Sequence, residues 1–135
     1  MNSKELVKIA MNAMENAYAP YSLFKVGAAV LGKSGKIYEG CNVENSSYGN
    51  TICAERVAFF NAISKGEKGF SAIAIIGGKN GEINDFAYPC GSCRQVMSEF
   101  CDKDFNIILF NGEEIKEYKL NQLLPKSFSL KEDQI

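Results

Sequence analysis

The chain of 135 residues contains no histidine and no tryptophan, and only two of its 15 lysine and arginine residues are arginines. Without histidine no imidazole can act as a general base, so triads of the serine- and cysteine-protease type are excluded. A metal site must likewise be built from cysteine sulfur or carboxylate oxygen. The thiols and the acidic side chains are therefore the first candidates for chemistry.

The chain also lacks a long apolar run and any concentration of positive charge. Its net charge is -1, its pI is about 5.5, and its lysines are scattered, so we expect no nucleic-acid partner. No stretch approaches the roughly 20 apolar residues of a membrane span, and the first residues are charged, unlike a signal peptide. We expect a cytoplasmic protein without membrane contact, folded as a single catalytic domain over residues 1–135.

Hydrophobic periodicity predicts helices and strands in the order α-β-β-α-β-α-β. The predicted helices are 3–17, 53–65 and a third that Pro89 opens and that runs to about 101; the predicted strands are 24–31, 36–43, 71–76 and 105–110. A polar loop covers 77–88, and an edge strand and a short helix at 120–124 would follow the last strand. Helices between continuous apolar strands indicate a three-layer α/β/α sandwich with a mixed central sheet.

The five cysteines are an odd number without a secretion signal, which favours metal binding or reactive thiols over disulfides. Cys53 stands near the start of one predicted helix, and Cys90 and Cys93 near the start of another. Helix starts favour the thiolate form. Three thiolates leave a fourth tetrahedral position for water, the pattern of a catalytic zinc site.

Glu55 follows Cys53 by two residues on the same predicted helix. Residues at that separation point away from each other, so Glu55 is not expected to share in metal binding. It can instead exchange protons with the water and act as the catalytic acid and base.

A C-x-x-C pair alone also fits a redox pair or half of a structural zinc knuckle. Here a proline precedes the pair, and Cys-Ala-Glu stands at the head of a separate helix. That combination is the signature of the zinc nucleobase deaminases. Cys41 and Cys101 have no partner at ligand spacing and are expected to be buried apolar residues.

Several blocks of the sequence, in order and spanning most of the chain, resemble the small homotetrameric cytidine deaminases. They are residues 21–29 (YSLFKVGAA), 40–49 (GCNVENSSYG), 53–56 (CAER), 89–96 (PCGSCRQV) and 123–125 (LLP). The resemblance implies a cytidine deaminase-like fold, one Zn²⁺ per chain held by Cys53, Cys90 and Cys93, and proton transfer by Glu55.

The resemblance also implies the substrate contacts. Asn42 and Glu44 would bind the ribose hydroxyls, and strand periodicity agrees, since side chains two apart share a face and Val43 would then point to the core. The other implied substrate-binding residues are Phe24, Ala54, Asn45, Tyr48 and Phe128, of which the loop from Asn45 to Tyr48 and the aromatic Phe128 would complete the active site of a neighbouring subunit in a homotetramer. Relatives commonly continue after Leu-Leu-Pro with Phe-Gly-Pro, whereas this chain has Phe-Ser-Leu at 128–130.

The predicted reaction is the hydrolytic deamination of cytidine and deoxycytidine to uridine and deoxyuridine with release of ammonia, as in pyrimidine salvage. The alternative is an enzyme that deaminates the cytosine nucleoside antibiotic blasticidin S with a similar zinc core. Deaminases of nucleic acids share the metal motif but need a basic strand-binding surface, and a zinc-stabilised module without activity would have no use for Glu55.

The two arginines, Arg56 and Arg94, directly follow the two metal motifs. Three thiolates on Zn²⁺ leave one net negative charge, which guanidinium groups can offset through charge-assisted hydrogen bonds. We expect Arg56 to donate to the ligand sulfurs. For Arg94 the same role and an ion pair with a carboxylate such as Glu99 are equally open.

Overall fold

A computed structural model describes residues 2–130 of the chain. The helices are α1 (Ser3–Met14), α2 (Ala54–Ser64), α3 (Gly91–Phe100) and α4 (Leu120–Leu123), and the strands are β1 (Phe24–Gly32), β2 (Ile37–Cys41), β3 (Phe70–Lys79), β4 (Asn106–Phe110) and β5 (Ile115–Lys119). A 3₁₀ turn covers Tyr48–Asn50. Within these residues, none of the helices has the length and apolar character needed to cross a bilayer.

The five strands form one mixed sheet in the order β2-β1-β3-β4-β5. Three neighbouring pairs are antiparallel, and only β3 and β4 run parallel, because α3 makes the crossover between them. The predicted hairpin is the β1–β2 pair, and the strand expected after β4 is β5, at the edge of the sheet. The predicted mixed α/β sandwich is confirmed.

The three layers follow from the alternation of side chains along the central strand β3. Ile73 and Ile75 face one side and pack with residues of α2 and α3, whereas Ala74 and Ile76 face the other side and pack with α1. All four are buried, since a central strand covered on both faces is apolar along its whole length. Each face of the sheet therefore has its own hydrophobic cluster.

Two glycines let helices lie unusually close to the sheet. A Cβ on Gly27 of β1 would stand 2.1 Å from the carbonyl oxygen of Ala10 in α1. A Cβ on Gly40 of β2 would stand 2.4 Å from both the Ala54 oxygen and the Ala58 nitrogen of α2. Gly40 therefore fixes the height of the first turn of α2 above the sheet, and this turn carries the first metal motif.

The predicted boundaries of α1, β3 and α3 are wrong, the first two because of tertiary contacts. Helix α1 ends at Met14 rather than at 17, because the backbone of Tyr18 pairs with the segment after β2. The Tyr18 N–H donates to the Asn42 oxygen (2.9 Å), and the Tyr18 oxygen accepts from the Glu44 N–H (2.8 Å). Strand β3 continues to Lys79 rather than ending at 76, because β1 pairs with it as far as Phe24 opposite Lys79. Pro89 precedes the first turn of α3 instead of opening it, since Cys90 is the N-cap.

Candidate metal and active site

Cys53 is the N-cap of α2, with extended backbone angles, and its thiol makes no capping hydrogen bond. Its Sγ atom is free for other contacts and lies where the unpaired N–H groups and the dipole of α2 favour negative charge. Just before it, Val43 and Ile52 form an isolated antiparallel bridge with two 3.0 Å backbone hydrogen bonds. The bridge places residues 42–44 alongside residues 51–53.

The second metal motif stands at the start of α3. Cys90 is the N-cap, and its Sγ atom accepts a hydrogen bond from the Cys93 N–H at 3.5 Å. Cys93 lies one helical turn further on and is buried, whereas Cys90 is exposed. Both thiols therefore benefit from the same helix terminus.

The three thiols converge on one point. Cys90 Sγ lies 3.5 Å from Cys93 Sγ and 3.9 Å from Cys53 Sγ, and all three sulfurs lie within 4.8 Å of one another. In a tetrahedral site with Zn–S bonds of about 2.3 Å, ligand sulfurs are about 3.8 Å apart. The sulfur cluster therefore has the spacing of a zinc site, and an all-sulfur ligand set suits Zn²⁺.

Hydrogen bonds to Cys53 favour its thiolate. Its pKa is lowered to about 5, first because Cys93 donates a hydrogen bond to it and further because Arg56 donates another. The Arg56 Nη2–Cys53 Sγ distance is 3.4 Å. This bond, with a second to Cys93, raises the pKa of the guanidinium, which stays charged. The buried Nε of Arg56 has no acceptor among the described residues.

Glu55 lies in the first turn of α2 and is only 4% exposed. Burial raises the pKa of its carboxyl to about 7, and the negative charge of the Cys53 thiolate acts in the same direction. A carboxyl with a pKa near neutrality can both accept and return a proton, as a general acid–base group must. A buried, perturbed carboxyl beside a three-thiol cluster is characteristic of a catalytic site.

Arg94 lies behind the second motif and has backbone acceptors. Its Nε donates to the Pro89 oxygen at 2.8 Å and its Nη1 donates to the Leu123 oxygen at 2.7 Å. The sequence did not indicate these two backbone acceptors, and the sulfur contact or ion pair expected of Arg94 stays a prediction. Arg94 joins the residue before Cys90 to the end of α4.

Asn42 and Glu44 follow the end of β2 and are anchored by different parts of the chain. The buried Asn42 accepts from the Val26 N–H (2.9 Å) and donates to the Phe24 oxygen (2.8 Å). Glu44 accepts from two backbone N–H groups, those of Tyr21 at 3.0 Å and Ser22 at 3.1 Å. The expectation that Val43 faces the core is wrong, because β2 ends at Cys41 and Val43 is 43% exposed.

The remaining predicted substrate residues differ in exposure. Ala54 is the first residue of α2 and is fully buried, and Phe24 is partly exposed at the start of β1. Asn45 organises its loop by accepting from the Ser47 N–H at 2.9 Å. Tyr48 is 78% exposed and Phe128 is 65% exposed.

A cavity of about 380 Å³ is lined by Tyr21, Ser22, Glu44, Tyr48 and Thr51. A larger cavity of about 770 Å³ lies elsewhere, between the end of α3 and the segment after α4, and contains none of the predicted site residues. The smaller one is associated with Glu44, which lines it, and its lining also includes Thr51, two residues before Cys53. Sequence reasoning did not single out Tyr21 and Ser22, which only the motif at 21–29 could have indicated.

Comparisons with known proteins agree with this geometry. Residues 1–109 match the family model described as the cytidine and deoxycytidylate deaminase zinc-binding region. A cytidine deaminase of Sporosarcina psychrophila is 46% identical over 98% of this chain and 95% of its own length, and one of Halalkalibacterium halodurans is 45% identical over 96% of each. The matches cover both metal motifs.

Solved structures give the same result for the fold. The crystal structure of cytidine deaminase from Burkholderia pseudomallei superposes with a TM-score of 0.87 at 44% identity, over 95% of this chain and 100% of that one. The corresponding enzyme of Mycobacterium tuberculosis gives a TM-score of 0.82 at 36% identity, over 96% and 99%. The chain belongs to the zinc-dependent cytidine deaminase family, of the small bacterial type.

Proposed function

We propose that this protein hydrolyses cytidine and deoxycytidine to uridine and deoxyuridine with release of ammonia, using one zinc ion per chain. The observation that carries the proposal is the three-thiol cluster of Cys53, Cys90 and Cys93 with the buried carboxyl of Glu55 beside it. Zinc held there supplies a Lewis acid that activates water for attack on the ring carbon C4. The role fits an enzyme of pyrimidine salvage.

Glu55 carries the protons of this reaction. As water attacks C4, the Glu55 carboxylate takes one of the water's protons and passes it to the ring nitrogen N3. It then takes the remaining proton from the new C4 hydroxyl and gives it to the departing amine, which leaves as ammonia while C4=O forms. The balance is one water consumed and one ammonia released for each nucleoside. The pKa of about 7 suits both directions of transfer, because neither the acid nor the base form is strongly disfavoured.

Asn42 and Glu44 are proposed to bind the sugar, and Phe24 to pack beside the nucleoside. The bridge between Val43 and Ile52 supports this, because it keeps residues 42–44 next to the chain that leads into Cys53. Glu44 is an anchored carboxylate at a cavity, which suits the donor groups of a diol. Ala54 is proposed to contribute its backbone to base recognition at the head of α2.

The substrate proposal is tested by measuring ammonia release from a panel of compounds. We expect turnover of cytidine and deoxycytidine, and none of cytosine in single-stranded DNA, because the chain has a net charge of -1 and a pI of about 5.5. Blasticidin S is the critical competitor in the panel, although no observation favours it. A higher kcat/KM for blasticidin S than for cytidine would contradict the proposal.

We further propose a homotetramer in which active sites are shared. In the single chain Tyr48 and Phe128 leave most of their rings uncovered. Exposed aromatic side chains of this kind are typical of interfaces. The loop from Asn45 to Tyr48 and the aromatic at Phe128 are therefore proposed to close the site of a neighbouring subunit. The reduced thiols required at the zinc site support a cytoplasmic location.

Complementation between two inactive variants tests the sharing. We expect mixed Glu55→Gln and Tyr48→Ala chains to recover activity after subunit exchange, because a hybrid interface can combine an intact Glu55 with an intact Tyr48. Each variant alone, taken through the same exchange procedure, is the control. A fully active protein that light scattering shows to be a monomer would contradict the assembly.

A further inference from the structure

The hydroxyl of Ser22 joins Glu44, proposed to bind the sugar, to the backbone of Phe24, proposed to pack beside the nucleoside. Ser22 lies in the turn between α1 and β1, and its Oγ donates to Glu44 Oε2. The same Oγ accepts a hydrogen bond from the Phe24 N–H at 3.0 Å. Sequence motifs give no role to Ser22, although it lines the cavity at Glu44.

The Ser22 hydroxyl is the donor in its contact with Glu44, because an ionised carboxylate can only accept. Its oxygen is also an acceptor, for the Phe24 N–H. Glu44 Oε1 accepts from the N–H groups of Tyr21 and Ser22, so both carboxylate oxygens are held from one turn. The Ser22 hydrogen bond is the first cause of the lowered pKa of Glu44, which keeps the group ionised.

This turn has a fixed conformation. Leu23 adopts a left-handed φ of 61°, which is unusual for a residue other than glycine. Its N–H donates to the Ala19 oxygen at 3.0 Å, and its oxygen accepts from the Asn80 N–H at 2.6 Å. The backbone that presents Ser22 is therefore held from both sides, as expected where an uncommon conformation is retained.

A carboxylate offers about four acceptor positions. Ser22 and the two backbone N–H groups use three of them, which leaves one for a sugar hydroxyl and fixes its direction. We propose that Ser22 is a positioning residue for sugar recognition, which orients Glu44 so that its remaining acceptor position meets a ribose hydroxyl. This inference depends on the proposed role of Glu44 in binding the sugar.

The test compares cytidine with 2′,3′-dideoxycytidine, which lacks the 2′ and 3′ hydroxyls of the sugar, in the zinc-loaded enzyme. For Ser22→Ala we expect kcat/KM for cytidine to fall about tenfold, mainly through KM, because a hydrogen bond to a charged group is lost. For dideoxycytidine the change should stay within about twofold, since the 2′ and 3′ hydroxyls that Glu44 is proposed to bind are absent. Ser22→Thr keeps the hydroxyl and should restore most of the loss.

Two further variants separate the possible failures. Ser64→Ala removes an exposed, hydrogen-bonded hydroxyl at the end of α2 and should leave kcat/KM for both substrates unchanged. Glu44→Gln, like Ser22→Ala, should lower kcat/KM for cytidine more than kcat/KM for dideoxycytidine. Suppose that Glu44→Gln lowers kcat/KM more for cytidine than for dideoxycytidine, but Ser22→Ala lowers kcat/KM equally for both substrates or for neither. The Ser22 proposal is then overturned, and the sugar role of Glu44 stands. If Glu44→Gln does not discriminate, the sugar role of Glu44 fails and the Ser22 proposal with it.

Discussion

Replacing Glu55 with glutamine should lower kcat by about 10²–10⁴-fold, the usual contribution of general acid–base catalysis. Glutamine has nearly the same shape as glutamate, so packing under the first turn of α2 should be retained. It cannot accept or return a proton, and both the transfer to N3 and the protonation of the amine would be lost. The neutral amide also suits a site where burial already disfavours the charged carboxylate.

Zinc analysis distinguishes a proton shuttle from a structural role. The variant should keep about one zinc per chain, because the three thiols alone have the spacing of the metal site. Glu113→Gln, in an exposed turn, is the matched control and should have normal kcat. A Glu55→Gln protein that lost zinc, and turned over normally once zinc was restored, would show that Glu55 only supports the metal site.

The metal site could be predicted from sequence because its signals are local. Cys90 and Cys93 belong to one helical turn, Cys53 and Glu55 to another, and short spacings within a turn determine geometry with little help from the rest of the fold. Only the convergence of the two turns is a tertiary property. The order of helices and buried strands was sufficient to predict the layers that bring the turns together.

The surroundings of Glu44 could not be predicted, because they depend on contacts between distant residues. Ser22 and Glu44 are 22 residues apart, and no periodicity links them. The alternation assigned to residues 42–44 failed because Tyr18 and Ile52 pair with Val43 and end the regular strand. The backbone acceptor of Arg94 at Leu123 is likewise 29 residues away, so the sequence did not indicate it.

Arg56 occupies the position from which the charge of the metal site can be adjusted. Three thiolates on Zn²⁺ leave one net negative charge, and further negative charge at the site is unfavourable in partly buried surroundings. The Arg56 guanidinium donates to Cys53 Sγ at 3.4 Å and also interacts with Cys93. We propose that it stabilises the thiolate form of these ligands and offsets their charge.

Arg56→Gln should therefore lower kcat/KM or zinc affinity by about 10–100-fold, the usual cost of losing a partner of the metal ligands. Glutamine removes the positive charge but keeps a polar group, whereas Arg56→Lys keeps the charge and loses the planar fork, so lysine should fall between the two. Zinc affinity can be measured independently of turnover by competition with a chelator. If Arg56→Gln changes neither zinc affinity nor kcat/KM by more than about twofold, the guanidinium does not stabilise the thiolates. Its contact with Cys53 would then serve only the packing of α2.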